Sequence, residues 1–313
     1  MDIRCSNFPV LRTPLLPYSF SNELSKENLH TLLALPIVQE AIFIASPALY
    51  ETLQEYLQGN VHDKKNDKLA ISLAKYLLRM CYRCTPFGLF AGITPLSPNS
   101  EDKTLQAENV LATTATSTYR HTRLDMDYLC ALAYNLGKQP EIRAVLRYFP
   151  NNTLYEVGEN LRYAEYRLTK RTRNHFLVSI DNSEYVQRIL TAAQHGETLE
   201  NLAKVITDEE ISFEEAFEFI NEMVDSQVLV SELEPHITDQ EYFERLLAKN
   251  LPALAIFPKI QATLQAIDQA PLGTATPQYY AIAEDLKTLG TDFELGQLFQ
   301  VDIKLGSVTE CML

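Results

Sequence analysis

The chain has 313 residues, 46% of them hydrophobic and 22% charged, a balance that suits a packed core and excludes global disorder. Its formal charge is −14, yet 13 acidic residues and no Lys or Arg fall between Asp208 and Glu244, and removing that segment leaves −1. A polyanion is repelled there, while the rest of the surface is able to carry basic patches.

No apolar run approaches the roughly 20 residues of a membrane span, and Met1-Asp2-Ile3-Arg4-Cys5-Ser6 leads into a proline-rich stretch with no secretion-signal core. Five scattered cysteines make no disulfide framework, so a reducing cytoplasm is the expected setting.

Between residues 8 and 17 the prolines force extended geometry, predicting a strand or arm that carries Arg12. Residues 24–57 read as helical, with interruptions near Pro36 and Pro47, and residues 59–67 as a polar loop. Over 68–83 the stripe Leu69, Leu73, Tyr76, Leu77 and Met80 predicts a helix with one buried face. Lys75, Arg79 and Arg83, four residues apart, form a cationic row on another face that helix formation does not require. Thr85-Pro86 ends that helix, and the glycines of Phe87-Gly88-Leu89-Phe90-Ala91-Gly92 permit tight turns or close backbone approach. A Ser/Thr-rich loop to about 118 precedes a helix over 126–136, with Asp125 as its cap.

From Asn152 onward, strands are expected at 153–157, 161–168 and 175–180. Helices follow at 183–194, 198–206 and 213–225, the last opened by a Ser212/Glu215 capping box, and a strand returns at 227–233. This order suggests a winged-helix-like module of about 80 residues. Residues 242–289 are helical again, and 298–303 form a strand containing Asp302. The expected class is α+β: a mostly helical N-terminal lobe (1–150), the central module (151–235), and a helical region returning to a strand (236–313).

The run Arg79-Met80-Cys81-Tyr82-Arg83-Cys84-Thr85-Pro86-Phe87-Gly88-Leu89-Phe90 resembles the N-terminal portion of nisin-type lantibiotic dehydratases, whose pattern is two arginines four apart followed by Thr-Pro-Phe-Gly-Leu-Phe. Arg12 in the extended arm, Asp125 after Arg123-Leu124, and Asp302 in its strand echo the family in order. The resemblance implies a glutamylation domain, transferring glutamate from glutamyl-tRNA to Ser or Thr of a precursor peptide. Arg12, Arg79, Arg83, Asp125 and Asp302 are then the candidate catalytic residues, with glutamyl-tRNA as co-substrate and no other cofactor. It also implies that the module binds the peptide's leader by strand addition. Family members run far beyond the strand holding Asp302, so a fragment or split protein is expected, with a separate chain completing the glutamylation and elimination domains.

The chemistry matches these residue types. A guanidinium grips phosphate or carboxylate through two parallel bonds, while a carboxylate holds an ammonium group or accepts a hydroxyl proton. Taken singly, the same residues have plainer readings: a solvated helix face for Arg79 and Arg83, a cap for Asp125, an edge charge for Asp302. Cys81-x-x-Cys84 lacks the second ligand pair of a zinc site, and the two are expected to be buried helix cysteines. No Gly-rich phosphate loop points to ATP. The basic run Arg162, Arg167, Lys170, Arg171 and Arg173 reads as an exposed hairpin or a tRNA-facing patch. Three alternatives compete: a non-catalytic leader-binding subunit, a peptide aminoacyl-tRNA ligase fragment, and a winged-helix DNA regulator. The regulator is disfavoured because Glu214, Glu215, Glu218 and Glu222 occupy its recognition helix.

Overall fold

The computed structural model describes residues 10–59, 63–95, 118–169, 172–236 and 241–305. The chain is mixed α+β and divides into two units, Met1–Tyr128 with Leu254–Leu313, and Leu129–Ala253.

In the first unit, strand β1 (Val10–Pro14) runs antiparallel to β2 (Ala91–Pro95), confirming the extended arm at Arg12. Prolines start the next helices rather than break them: Pro36 and Pro47 sit in the first turns of α2 (Pro36–Ala45) and α3 (Pro47–Leu57), after the short α1 (Leu29–Leu33). The lost backbone N–H costs nothing there, because it has no helical partner at that position. Helix α4 spans Asp63–Tyr82, beginning earlier than the expected loop allows, and buries Leu73, Leu77 and Met80 as the stripe predicts.

Strand β3 (Thr118–Leu124) pairs antiparallel with β9 (Phe299–Leu305), and β9 pairs parallel with β2, giving the order β1-β2-β9-β3. Gly92 is required at the β2–β9 seam: a Cβ there would lie 2.9 Å from Ile303 Cγ2 and Leu305 Cγ. Asp125 then caps α5 (Met126–Leu136), its Oδ1 accepting from the Asp127 backbone at 2.9 Å.

One face of the sheet turns inward with Leu124, Val301, Ile303 and Leu305, and with the less usual Arg120 and Thr122. Arg120 reaches Glu40 of α2 at 2.5 Å, both side chains essentially sealed from solvent, and donates to the Ala270 carbonyl at 3.1 Å. The second Glu40 oxygen accepts from the backbone of Gly273, in the turn between α11 (Phe257–Gln269) and α12 (Thr276–Lys287). Gly273 adopts φ +97°, and a Cβ there would strike the Pro36–Ile37 backbone at 2.6 Å, so the turn presses directly on the start of α2. Asp268 of α11 accepts from the Thr122 backbone at 2.9 Å, occupying an edge donor of β3.

The second unit holds α6 (Pro140–Val145) and three short strands. Strand β4 is Tyr148–Pro150, β5 is Tyr155–Val157 and β8 is Leu229–Ser231; β4 pairs antiparallel with β8. Long strands β6 (Asn160–Thr169) and β7 (Thr172–Asp181) form a hairpin joined by β5, in the order β5-β6-β7. Helices α7 (Glu184–Ala192), α8 (Leu199–Ile206) and α9 (Phe213–Asp225) follow, then α10 (Tyr242–Ala248). The Ser212/Glu215 capping box is present, with both reciprocal bonds formed. The expected returning strand is only three residues long and joins β4, not the hairpin.

Among the described residues no helix is long and apolar enough to cross a membrane. Helix α9 ends in a left-handed residue, Gln227 (φ 61°), with Val228 N–H to Met223 O at 2.9 Å and Gln227 N–H to Val224 O at 3.0 Å. Glycine commonly fills that position. Gln227 is useful there for its side chain, which accepts from the Tyr166 backbone N–H at 3.0 Å and donates to its carbonyl at 2.7 Å.

Removing one member of a buried ion pair strands the other, at a cost of about 3–5 kcal/mol. Glu40→Ala is expected to lower the urea stability of the first unit by that amount. Lys26→Ala, which breaks an exposed 3.6 Å pair with Asp67, is expected to change it by less than about 1 kcal/mol.

Candidate functional site

The side chains opposite the buried face of the four-stranded sheet point outward. By strand register, Arg12 lies beside Ile93, Ile93 beside Lys304, and Lys304 beside Tyr119; one step along, Asp302 lies beside His121. Lateral partners share a face, so Arg12, Lys304, Asp302, Tyr119, His121 and Arg123 project together. Two strand spacings and two residues of rise put the Arg12 and Asp302 backbones about 12 Å apart, within reach of one bound group by a long guanidinium arm.

Asp302 pairs with Arg123 at 3.1 Å, both partly exposed. His121 Nδ1 lies 3.9 Å from Asp268. Desolvation raises the Asp268 carboxyl above the usual aspartate range, outweighing the opposing pull of the Thr122 hydrogen bonds, His121 and Arg120.

Arg79 lies in the last turn of α4 and Arg83 just beyond its end. Leu16 N–H donates to Met80 O at 3.0 Å and Leu15 N–H to Phe90 O at 2.9 Å, tying the end of β1 to both α4 and the entry to β2. Arg83 is exposed, whereas Arg79 is half-buried, unlike a solvated helix face. Its guanidinium carbon sits 4.7 Å from the Phe87 ring centroid and 5.4 Å from that of Phe90. Its buried Nε has no hydrogen-bond partner among the described residues. The Phe-Gly-Leu-Phe segment thus supplies two aromatic faces that hold a cation in place.

Asp125 is anchored at the open end of β3: its N–H donates to Leu298 O at 2.8 Å, just before β9 begins. One of its oxygens serves as the α5 cap, as the plainer reading has it. Arg12 and Asp302 are therefore brought onto one face, with Asp125 at the end of the same strand pair and Arg79 at the entry to β2.

Cys81 is buried, with burial pushing its thiol up to about 11, and Cys84 is exposed, so only one of the pair is the buried helix cysteine expected. Of the basic run, Arg167 bonds Glu165 at 2.7 Å and lies over Phe176 at 4.9 Å. Lys170 and Arg171 fall outside the described residues. Sequence reading missed Tyr119, His121 and Lys304. For Tyr119 and His121 the signal was the alternation of 118–124, obscured because the inward positions hold Arg120 and Thr122 rather than apolar residues; Lys304 lies one residue past the strand expected at 298–303.

The sequence model of the family described as "Lantibiotic dehydratase, N terminus" matches residues 34–312. The chain belongs to the lantibiotic dehydratase family. The subtilin biosynthesis protein SpaB of Bacillus subtilis is 23% identical over 297 residues, covering 91% of this chain and 28% of SpaB. The nisin biosynthesis protein NisB of Lactococcus lactis subsp. lactis is 30% identical over 124 residues, 39% of this chain and 11% of NisB. The tRNA-dependent lantibiotic dehydratase MibB from Microbispora sp. 107891 shares the fold at TM-score 0.73 and 21% identity, over 96% of this chain and 29% of MibB. The TbtB glutamylation domain from thiomuracin biosynthesis, bound to 5'-phosphodesmethylglutamycin, matches at TM-score 0.58 and 16% identity over 89% of this chain and 34% of TbtB. The chain thus spans about a third or less of the length of each of these relatives.

The raised Asp268 carboxyl means that the folded chain holds this proton more tightly than the unfolded chain, so ionisation at neutral pH works against folding. Asp268→Asn keeps an acceptor for Thr122, and is expected to be at least as stable as the native chain at pH 7. Its advantage should vanish as the pH falls through the carboxyl's titration, towards about pH 4 and below, as read from urea midpoints across that range.

Proposed function

We propose that the first unit contributes the glutamyl-transfer site of a lantibiotic dehydratase, and that the second recognises the leader of the precursor peptide. In the transfer, a Ser or Thr hydroxyl attacks the ester carbonyl of glutamyl-tRNA. A new ester forms as the bond to the ribose oxygen breaks; the hydroxyl proton passes to a carboxylate or to solvent, which returns a proton to the departing ribose oxygen. Such an exchange is nearly isoenergetic, so positioning and charge placement carry the catalysis.

The observation that best supports this reading is the outward sheet face, which gathers Arg12, Arg123 and Lys304 around Asp302 in a chain of net charge −14. Arg12, Arg79 and Arg83 would take the phosphate and carboxylate groups. Asp125 and Asp302 would hold the ammonium group or accept the hydroxyl proton. The resemblance to the family assigns these five residues. Phosphate recognition by α9 is opposed by its exposed Glu214, Glu215, Glu218 and Glu222, which argues against a DNA regulator.

Leader binding by a winged-helix-like module has its own support. Side chains close the outer edge of β6: Thr153 Oγ1 accepts from Ala164 N–H at 2.9 Å, Asn151 donates to Ala164 O at 3.1 Å, and Gln227 clasps Tyr166. Strand β7 has no strand partner on its other side among the described residues. Since Ala164 and Tyr166 turn their polar groups away from β7, the residues opposite them, Leu177 and His175, turn theirs towards that open edge. Leu177 is 63% exposed and Phe176 44%, offering apolar contacts to an added strand. This second edge lies wholly in one unit, which favours a leader-binding subunit as the competing reading.

Binding of the precursor's leader and glutamyl transfer, measured separately, test both readings. Asp302→Asn and Arg83→Lys should reduce transfer at least about tenfold while leaving leader binding unchanged; Asp302→Asn costs little stability because its ion pair is surface-exposed. Leu177→Pro removes an outward donor without breaking a β6–β7 bond, and should abolish leader binding in a folded chain. Leader binding with no transfer by the native chain overturns the catalytic reading in favour of the binding subunit.

A further inference from the structure

Tyr119 stands 62% exposed on the outward sheet face, beside the cation Lys304, whose Nζ is 5.9 Å from its ring centroid. A tyrosine this exposed buries little surface for the fold, and the strand register rules out a place for it in the core: Arg120 and Thr122 of the same strand occupy the buried face. The row it closes, Arg12–Ile93–Lys304–Tyr119, crosses all four strands. It is cationic at Arg12 and Lys304, aliphatic at Ile93 and aromatic at Tyr119. Adjacent to it lie His121, Arg123 and Asp302, so the face as a whole is positively biased within a strongly acidic protein.

An exposed tyrosine set beside cations on an open sheet suits one kind of ligand especially well. Unpaired nucleotides present π-faces that stack on tyrosine and phosphates that seek lysine and arginine, and four-stranded sheets are a recurrent platform for single-stranded RNA.

We propose that Tyr119 is a stacking platform for an unpaired base at the 3' end of the aminoacyl-tRNA, with Lys304 holding a neighbouring phosphate, so that the esterified ribose is delivered towards Arg12 and Asp302. This rests on the glutamyl-transfer reading and adds to it two positioning residues on the RNA side of the site. Tyr119 acts through the nucleotide and touches no reacting atom.

The test uses the full chain, a 5'-fluorescein single-stranded RNA ending in C-C-A, and glutamyl-tRNA titrated alongside, both followed by anisotropy at several salt concentrations. Tyr119→Ala is expected to weaken both ligands about tenfold, the size of one lost base stack. Tyr119→Phe should bind within about twofold of the native chain, since the ring and not the hydroxyl carries the contact. Lys304→Ala should lower the salt slope by about 0.7, one phosphate's share for a single strand. In transfer assays Tyr119→Ala should raise KM for glutamyl-tRNA and leave kcat unchanged. Far-UV circular dichroism checks that the variants fold. Native-like RNA affinity in Tyr119→Ala, or equal weakening in Tyr119→Phe, overturns the stacking proposal alone. No binding of glutamyl-tRNA by the native chain overturns the proposed function and this inference with it.

Discussion

The first unit is organised around one buried charge contact, Glu40 with Arg120. Two ions taken out of water cost several kcal/mol each unless their remaining polar sites are also met. Here they are largely met by backbone: Ala270 O takes one guanidinium nitrogen, and Gly273 N–H serves the second carboxylate oxygen. The contact therefore does more than join α2 to β3. It sets the path of the turn between α11 and α12, which brings Asp268 onto the β3 edge and leaves the outward sheet face at a fixed orientation to its support. A layer of leucines could fill the same volume, but it would offer no directional bond to hold Ala270 and Gly273 in place.

The outward face shows the complementary economy. Strands with polar residues on both sides are weakly specified by hydrophobic pattern alone. Strand β3 is such a strand, Thr-Tyr-Arg-His-Thr-Arg-Leu, and its placement depends on which of its two arginines is buried. Arg120 is drawn in by Glu40, and the side chains two residues either way follow, so that Tyr119, His121 and Arg123 are exposed as a consequence. The candidate site is thus positioned by an ion pair on the opposite face of the same strand.

This explains which parts of the structure were legible from sequence. The extended arm at Arg12, the buried stripe of α4, the stop at Thr85-Pro86, the β6–β7 hairpin and the Ser212/Glu215 box all follow from local rules acting within a few residues. Asp125 as a helix cap is likewise local. Strand β3 was hidden because its buried positions hold Arg120 and Thr122, whose partners lie 80 and 146 residues away. Glu40, inside an apolar helix, gave no sign of its partner for the same reason. The candidate site residues were reached through family resemblance; composition and spacing left Arg79 a surface cation, whereas the structure seats it over Phe87 and Phe90.

Gln227 carries a consequence for how the hairpin sheet can be extended. A sheet with two bare borders can grow indefinitely, each newcomer offering a fresh border to the next. In the hairpin sheet the short β5 pairs with only residues 160–162 of β6, and beyond it the carboxamide of Gln227, together with Asn151 and Thr153, takes the backbone groups of Ala164 and Tyr166. No added strand can pair along that stretch of β6, so a guest strand, or a second copy, that uses the length of the hairpin is directed to β7. Growth through the outer half of β6 is thus blocked in part by a residue whose left-handed backbone is repaid by the reach of its side chain.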